Sequence, residues 1–202
     1  MANEGFTKFK GILISFAIII IIILILVVYL VGAYNKFVTL DQDVNSKWSE
    51  VENQYQRQAD LIPNLVSTVS SAVRVETKFI TDVTNARSKW QESQNIFDKD
   101  TAGAQMNNGI TALVNAVATA ENYPVLQANT QYVALTDELS GTQNRISTSR
   151  TRYIESIQKY NTAIKRFPGN ILAGIYGFTG KDYYKAELNA LETPTLGTGT
   201  LP

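Results

Sequence analysis

Three charged residues fall on stripes that are otherwise apolar: Glu76, Arg87 and Arg150. A charge on a face meant for a core is costly unless it is paired and hydrogen-bonded. The expectation is that Glu76 pairs with Arg87 or Arg150 across a helical core and fixes its register. The alternative is that these long side chains reach past the stripe to its polar edge. A second set, Arg145, Arg152, Lys159 and Arg166, recurs at every seventh residue, and Asp43 and Glu50 share that interval far upstream. In antiparallel helices the two rows would form a charged seam. Such a seam selects a neighbour, in the same chain or another subunit, more than it stabilises. Two further readings of the basic row are a solvated face and a contact with anionic lipid, in which Lys165 and Arg166 arrive near headgroups.

Catalysis has little to draw on. The 202 residues contain no cysteine and no histidine. That removes disulfides, thiol nucleophiles, Cys/His zinc sites and imidazole acid–base steps. A carboxylate metal centre lacks its Glu-x-x-His motifs. There is no nucleotide loop and no Gly-x-Ser-x-Gly elbow. Lys+Arg and Asp+Glu number 18 each, so no basic footprint for nucleic acid shows. The expectation is a chain that is not an enzyme and uses no metal, no cofactor and no nucleic acid.

The elements that must hold these charges begin with an anchor. ILISFAIIIIIILILVVYLV, Ile12 to Val31, is twenty residues without a charge, about 30 Å as a helix and so about the hydrocarbon thickness of a bilayer. In lipid the backbone must satisfy its own hydrogen bonds, so the run of isoleucines becomes helix. Lys8 and Lys10 before it, with Tyr29 and Tyr34 after it, read as interfacial residues. A cleaved signal peptide is the competing reading, because Val31-Gly32-Ala33 resembles a cleavage site. The apolar run is longer than a signal core of about 7–15 residues. The expected division is a flank over 1–11, a transmembrane anchor over 12–33, a helical domain over 34–185 and a flexible tail over 186–202. The charge bias leans towards a cytoplasmic N-terminus, with the bundle outside, in the cell (inner, cytoplasmic) membrane.

Past the anchor, apolar residues keep helical spacing nearly throughout. The stripes are Phe37, Val44, Trp48, Val51 and Tyr55; then Ile62, Val66, Val69, Val73, Ile80, Val83 and Trp90; then Met106, Ile110, Leu113, Val117 and Ala120; then Tyr132, Leu135, Leu139, Ile146, Tyr153, Ile157, Tyr160, Ile164 and Phe167. Each needs a partner to cover it, which predicts an all-α fold: an antiparallel four-helix bundle of long helices. Between the first two stripes, Asp60, Pro63 and Asn64 mark a helix break. Either Asp60 caps a new helix with Pro63 in its first turn, or one helix runs through and Pro63 kinks it near Ala59. Asp100 or Thr101 is the expected cap of the third helix, Tyr123-Pro124 the start of the fourth and Phe167-Pro168-Gly169-Asn170 its end. ILAGIYGF, Ile171 to Phe178, either closes the end of the bundle or lies at the membrane surface.

VENQYQRQADLIPNLV (51–66), ETKFITDVTNAR (76–87), ENYPVLQAN (121–129) and RISTSRTRYIESIQKYNTAIKRFPGN (145–170) resemble the LemA family. Tyr34-Asn35, Phe178 and Tyr184 match as well, so the resemblance runs in order over roughly residues 30–185. It implies a single-pass membrane protein with a four-helix LemA domain and offers no catalytic residues to carry over. Relatives associated with magnetosome formation act in membrane biogenesis. Gln58, Val75 and Ile154 depart from the family pattern, and these departures are expected to bear on surface contacts. The resulting expectation is a membrane-anchored scaffold that self-associates to organise or remodel membrane. Its partners would be the lipid bilayer, further copies of itself, and a membrane or envelope protein. The alternative is a membrane-tethered adaptor or sensor module that binds another protein.

Overall fold

A computed structural model describes residues 2–72, 77–119 and 129–183, with side chains over 13–70, 77–118 and 129–183. Helices α1 (Ala2–Ala72), α2 (Thr77–Glu92), α3 (Ile96–Thr119), α4 (Thr130–Lys165) and α5 (Gly169–Tyr176) follow in order. No strand occurs among the described residues, so the class is all-α as the periodicity predicts. By its contacts the chain divides into one unit of Ser46–Tyr153 and another of Met1–Asn45 with Ile154–Pro202.

Within the 46–153 unit, paired positions fix the direction of each helix. Tyr55 meets Trp90, and Ala59 meets Arg87, so α2 runs against α1. Glu52 pairs with Lys99, and Gln58 with Asn107, so α3 runs with α1. Trp48 meets Tyr153, and Arg57 meets Glu138, so α4 returns against α1. The result is an up-down-up-down bundle, whose interior is formed by the predicted stripes. Val51, Tyr55, Val69, Val83, Met106, Leu113 and Val117 are fully buried. Phe167 is the exception on the last stripe: it is 76 % exposed, because α4 ends at Lys165 before reaching it.

The expected break at Asp60, Pro63 and Asn64 does not interrupt the helix. α1 is continuous, with Pro63 inside it. Asp60 is not a cap; it accepts a hydrogen bond from Gln56 Nε2 on the preceding turn at 2.8 Å. A proline cannot donate to the carbonyl four residues earlier, which here is that of Ala59. Arg87 Nε on α2 donates to this carbonyl at 2.9 Å. A side chain from the neighbouring helix thus replaces the missing backbone donor. Consequently the second stripe is shared between the end of α1 and α2.

Two other boundaries differ from expectation. Asn95, not Asp100 or Thr101, caps α3: its Oδ1 accepts from the Asp98 N–H at 2.8 Å, while its Nδ2 donates back to the Asp98 carboxylate at 2.6 Å. This is the reciprocal logic of a capping box. Asn129 Oδ1 accepts from the N–H groups of Gln131 and Tyr132 at 2.9 and 3.2 Å, and so caps the described start of α4. Tyr123-Pro124 lies outside the described residues, as do Val73, Val75, Glu76 and Ala120 and the 186–202 tail.

Gly103 on α3 allows close approach to α1. A Cβ there would stand 2.5–2.9 Å from three ring carbons of Tyr55, which is fully buried. Gly103→Ala gains about 1 kcal/mol in helix propensity but overpacks a filled core, at about 1–3 kcal/mol. The expected result is a net loss of up to about 2 kcal/mol, measured by chemical unfolding of the full-length protein in detergent. An unchanged or raised midpoint would show that the ring moves aside freely.

Candidate functional site

The 46–153 unit contains a buried polar group whose partners come from three helices. Tyr55 Oη on α1 donates to Asp100 Oδ1 on α3 at 3.1 Å, and Arg150 Nη2 on α4 donates to Asp100 Oδ2 at 3.1 Å. Asp100 is 2 % exposed. Burial raises its pKa to about 6 despite the lowering effects of Arg150 and of the Tyr55 hydrogen bond. Burial also raises the Tyr55 pKa, with the Asp100 charge adding to it. The core position of Arg150 is therefore answered by Asp100. Glu76, the expected partner, lies outside the described residues. Gln58 is fully buried on α1, where its Nε2 donates to Asn107 Oδ1. Its departure from the family pattern thus belongs to the core, not to a surface contact.

Within one chain the described residues do not form the predicted seam. Glu50 pairs with Lys47 on its own helix. Arg145 pairs at 3.1 Å with Glu138, which also binds Arg57 at 2.6 Å. Asp43, Arg152, Lys159 and Arg166 make no ion pair among the described residues. A residue spacing of seven fixes which side chains share a stripe, but the register of neighbouring helices decides what they face.

The other unit is organised around the point where α1 leaves its apolar segment. The large apolar side chains from Leu13 to Tyr29 are all at least 44 % exposed, in keeping with a helix that lies in lipid. α1 continues as helix through residues 30–45 with no linker. Tyr34 packs its ring edge-on to Tyr176 at 5.2 Å and lies 5.9 Å from the Phe178 ring. Tyr176 Oη donates to the Leu30 carbonyl at 3.3 Å. These contacts dock α5 on the anchor at the end of the apolar run. Leu172 and Ala173 face inward, while Ile171 and Ile175, one turn apart, are 55 % and 70 % exposed. One face of ILAGIYGF thus closes this unit, and the other is an exposed apolar ridge.

The chain after α5 is clasped to α4. Asn161 Nδ2 donates to the Lys181 carbonyl at 2.7 Å, and its Oδ1 accepts from the Lys181 N–H at 2.9 Å. Tyr160 Oη donates to the Thr179 carbonyl at 2.9 Å. Lys181 Nζ meets Asp41 at 2.9 Å on α1. Gly169 lets the turn close, since a Cβ there would stand 2.4 Å from the Ala163 carbonyl oxygen.

Beneath this turn, α1 and α4 enclose a groove of about 790 Å³. Tyr29, Gly32, Lys36 and Leu40 line it from one face of α1, and Lys159 and Thr162 from α4; Arg166, just past the end of α4, completes it with Phe167 and Pro168. Tyr29, Lys159 and Arg166 were singled out by sequence; the groove unites them. Lys36 was missed as a member, although a cation one turn after an anchor is a usable signal. Lys8 and Lys10 have side chains outside the described residues. Among the described residues no three carboxylates gather to hold a metal ion.

Comparison with known proteins gives a consistent picture. Three relatives are magnetosome proteins. MamQ 1 and MamQ 2 of Paramagnetospirillum magneticum (strain AMB-1) are each 27 % identical over 190 residues, covering 83 % of this chain and 70 % of theirs. MamQ of Magnetospirillum gryphiswaldense (strain MSR-1) is 25 % identical over the same shares. The sequence profile of the LemA family matches residues 47–196, most of the chain. Anchor, bundle and profile agree: this chain is a helical membrane protein and belongs to the LemA family.

Proposed function

We propose that this protein is a non-enzymatic scaffold, anchored by a single N-terminal helix, that self-associates to organise or remodel membrane. The observation that carries this reading is the exposed apolar ridge. Phe167, Ile171 and Ile175 are exposed, and Tyr176 on the same short helix as the two isoleucines reaches the Leu30 carbonyl; water would penalise such side chains and the bilayer interface accepts them. With α1 leaving the span as uninterrupted helix, the base of the protein is held against the membrane surface. Association between neighbouring copies would then act directly on lipid.

Two charges support the self-association. Asp43 on α1 and Arg152 on α4 have no ion pair among the described residues, so both are available to a second copy. The magnetosome relatives support the membrane role by kinship. The favoured setting is the cell membrane with the bundle on its outer side.

Co-expression of two differently tagged full-length copies tests the proposal. Capture of one tag from detergent-solubilised membranes is expected to recover the other. The charge reversals Asp43→Arg and Arg152→Asp should each lower that recovery by about threefold or more, as like charges brought together repel. Recovery of a different membrane or envelope protein in place of the second copy would instead establish the adaptor reading.

A further inference from the structure

We propose that the groove between α1 and α4 binds one anionic phospholipid from the leaflet at which α1 emerges, with Lys36, Lys159 and Arg166 taking its phosphate. This deepens the membrane reading above and rests on it.

Charge is the first argument. The groove is lined by three cations and no carboxylate. None of the three is ion-paired among the described residues, whereas Lys181 in the same unit has Asp41. Like charges converging on one concavity repel unless an anion sits among them. Arg166 offers a planar fork that matches phosphate oxygens, and lysines serve phosphate as point charges. The Thr162 hydroxyl on α4, one turn from both Lys159 and Arg166, adds a neutral hydrogen-bonding group to the same lining.

Position and wall chemistry identify the source of the phosphate. Tyr29 and Gly32 place one end of the groove at the end of the apolar segment. A Cβ on Gly32 would meet nothing within 4 Å, so that end is open towards the lipid. Apart from Gln158, the remaining wall is apolar, with Phe37, Leu40 and Phe167. A free phosphate ion leaves such a wall unused, while a phospholipid presents its glycerol and first methylenes to it. The volume of about 790 Å³ lies in the usual range of small-molecule sites, about 300–1,000 Å³. A zwitterionic headgroup would bring its own cation against three others and is disfavoured.

Native mass spectrometry of the full-length protein in neutral detergent provides the test. The probes are phosphatidylglycerol and phosphatidylcholine of matched chains, with inorganic phosphate as competitor. The wild type should hold one phosphatidylglycerol per chain, roughly tenfold or more tighter than phosphatidylcholine. The triple variant Lys36→Gln, Lys159→Gln, Arg166→Gln should lose that preference by roughly tenfold to a hundredfold, at about fivefold per cation. Lys78→Gln with Lys89→Gln, two exposed cations outside the groove, should keep it. Equal retention of the two lipids by the wild type would overturn the proposal even if the triple variant does not fold. So would an unchanged preference in a folded triple variant, or displacement of the lipid by millimolar phosphate, which would mark a simple anion site. Binding is counted per chain, so it does not depend on assembly; failure of the wild type to enter the membrane fraction would instead remove the anchor reading itself.

Discussion

Asp100→Asn is expected to remove a stability loss that the wild-type protein undergoes between about pH 4 and pH 6. Asp100 is buried between Tyr55 and Arg150, and burial raises its pKa from the usual 3.8 to about 6. For an acid with a raised folded-state pKa, the neutral form is favoured by folding. Its contribution is complete below the unfolded value and is lost as pH rises through the folded one. A shift of about two units corresponds to about 3 kcal/mol. Unfolding by denaturant at pH 4 and pH 7 should therefore differ between wild type and variant by about that amount, the wild type losing more at pH 7. Asparagine is close in size but keeps one acceptor for the two donors Tyr55 and Arg150, so the readout is the difference between the two pH values, not the absolute stability. Parallel pH profiles for the two proteins would mean that Asp100 is solvated in the folded state.

The second large effect concerns Pro63. If Arg87 supplies the donor that Pro63 lacks, Arg87→Met should cost about 1.5–3 kcal/mol, the usual range for a hydrogen bond from a charged donor. In a Pro63→Ala background, residue 63 regains its N–H and serves the Ala59 carbonyl itself. Arg87→Met should then cost under about 1 kcal/mol, a coupling of at least about 0.5 kcal/mol in the double-mutant cycle. Equal costs in the two backgrounds would show that the contact at 2.9 Å is incidental to the proline.

These two sites mark where the sequence was readable and where it was not. The stripes were legible because burial follows helical period, a local property: Phe37, Val44, Trp48, Val51 and Tyr55 are all buried as spaced. The family was legible from collinear motifs. Asp100 was misread because the surrounding polar run looks like a cap, and only Tyr55 and Arg150, 45 and 50 residues distant, make it a core residue. Pro63 was ambiguous for a similar reason. Its orphaned carbonyl is satisfied by a residue 28 positions further on, and local spacing carries no trace of that. Arg87 and Arg150 were correctly flagged as charges needing partners, but the partners were a backbone carbonyl and Asp100. Within one chain the seam did not form because Glu50 bound Lys47 on its own helix and Arg145 bound Glu138.

The membrane end was legible in part. Tyr29, Tyr34, Lys159 and Arg166 were all marked, each for a separate reason. That Tyr29, Lys159 and Arg166 share a groove, and that Tyr34 holds α5 to the anchor, depends on how the chain turns at Gly169 and returns to α1. The same return leaves Ile171 and Ile175 exposed on the helix that docks on the anchor, and these are the side chains this account assigns to lipid.

The central claim is that the full-length protein is an assembling, membrane-anchored scaffold. Its most direct test is the mass of detergent-extracted full-length protein by light scattering, corrected for bound detergent, with particles inspected by negative-stain electron microscopy. The account predicts discrete assemblies of several chains that persist on dilution. A clean monomer at every concentration would contradict it.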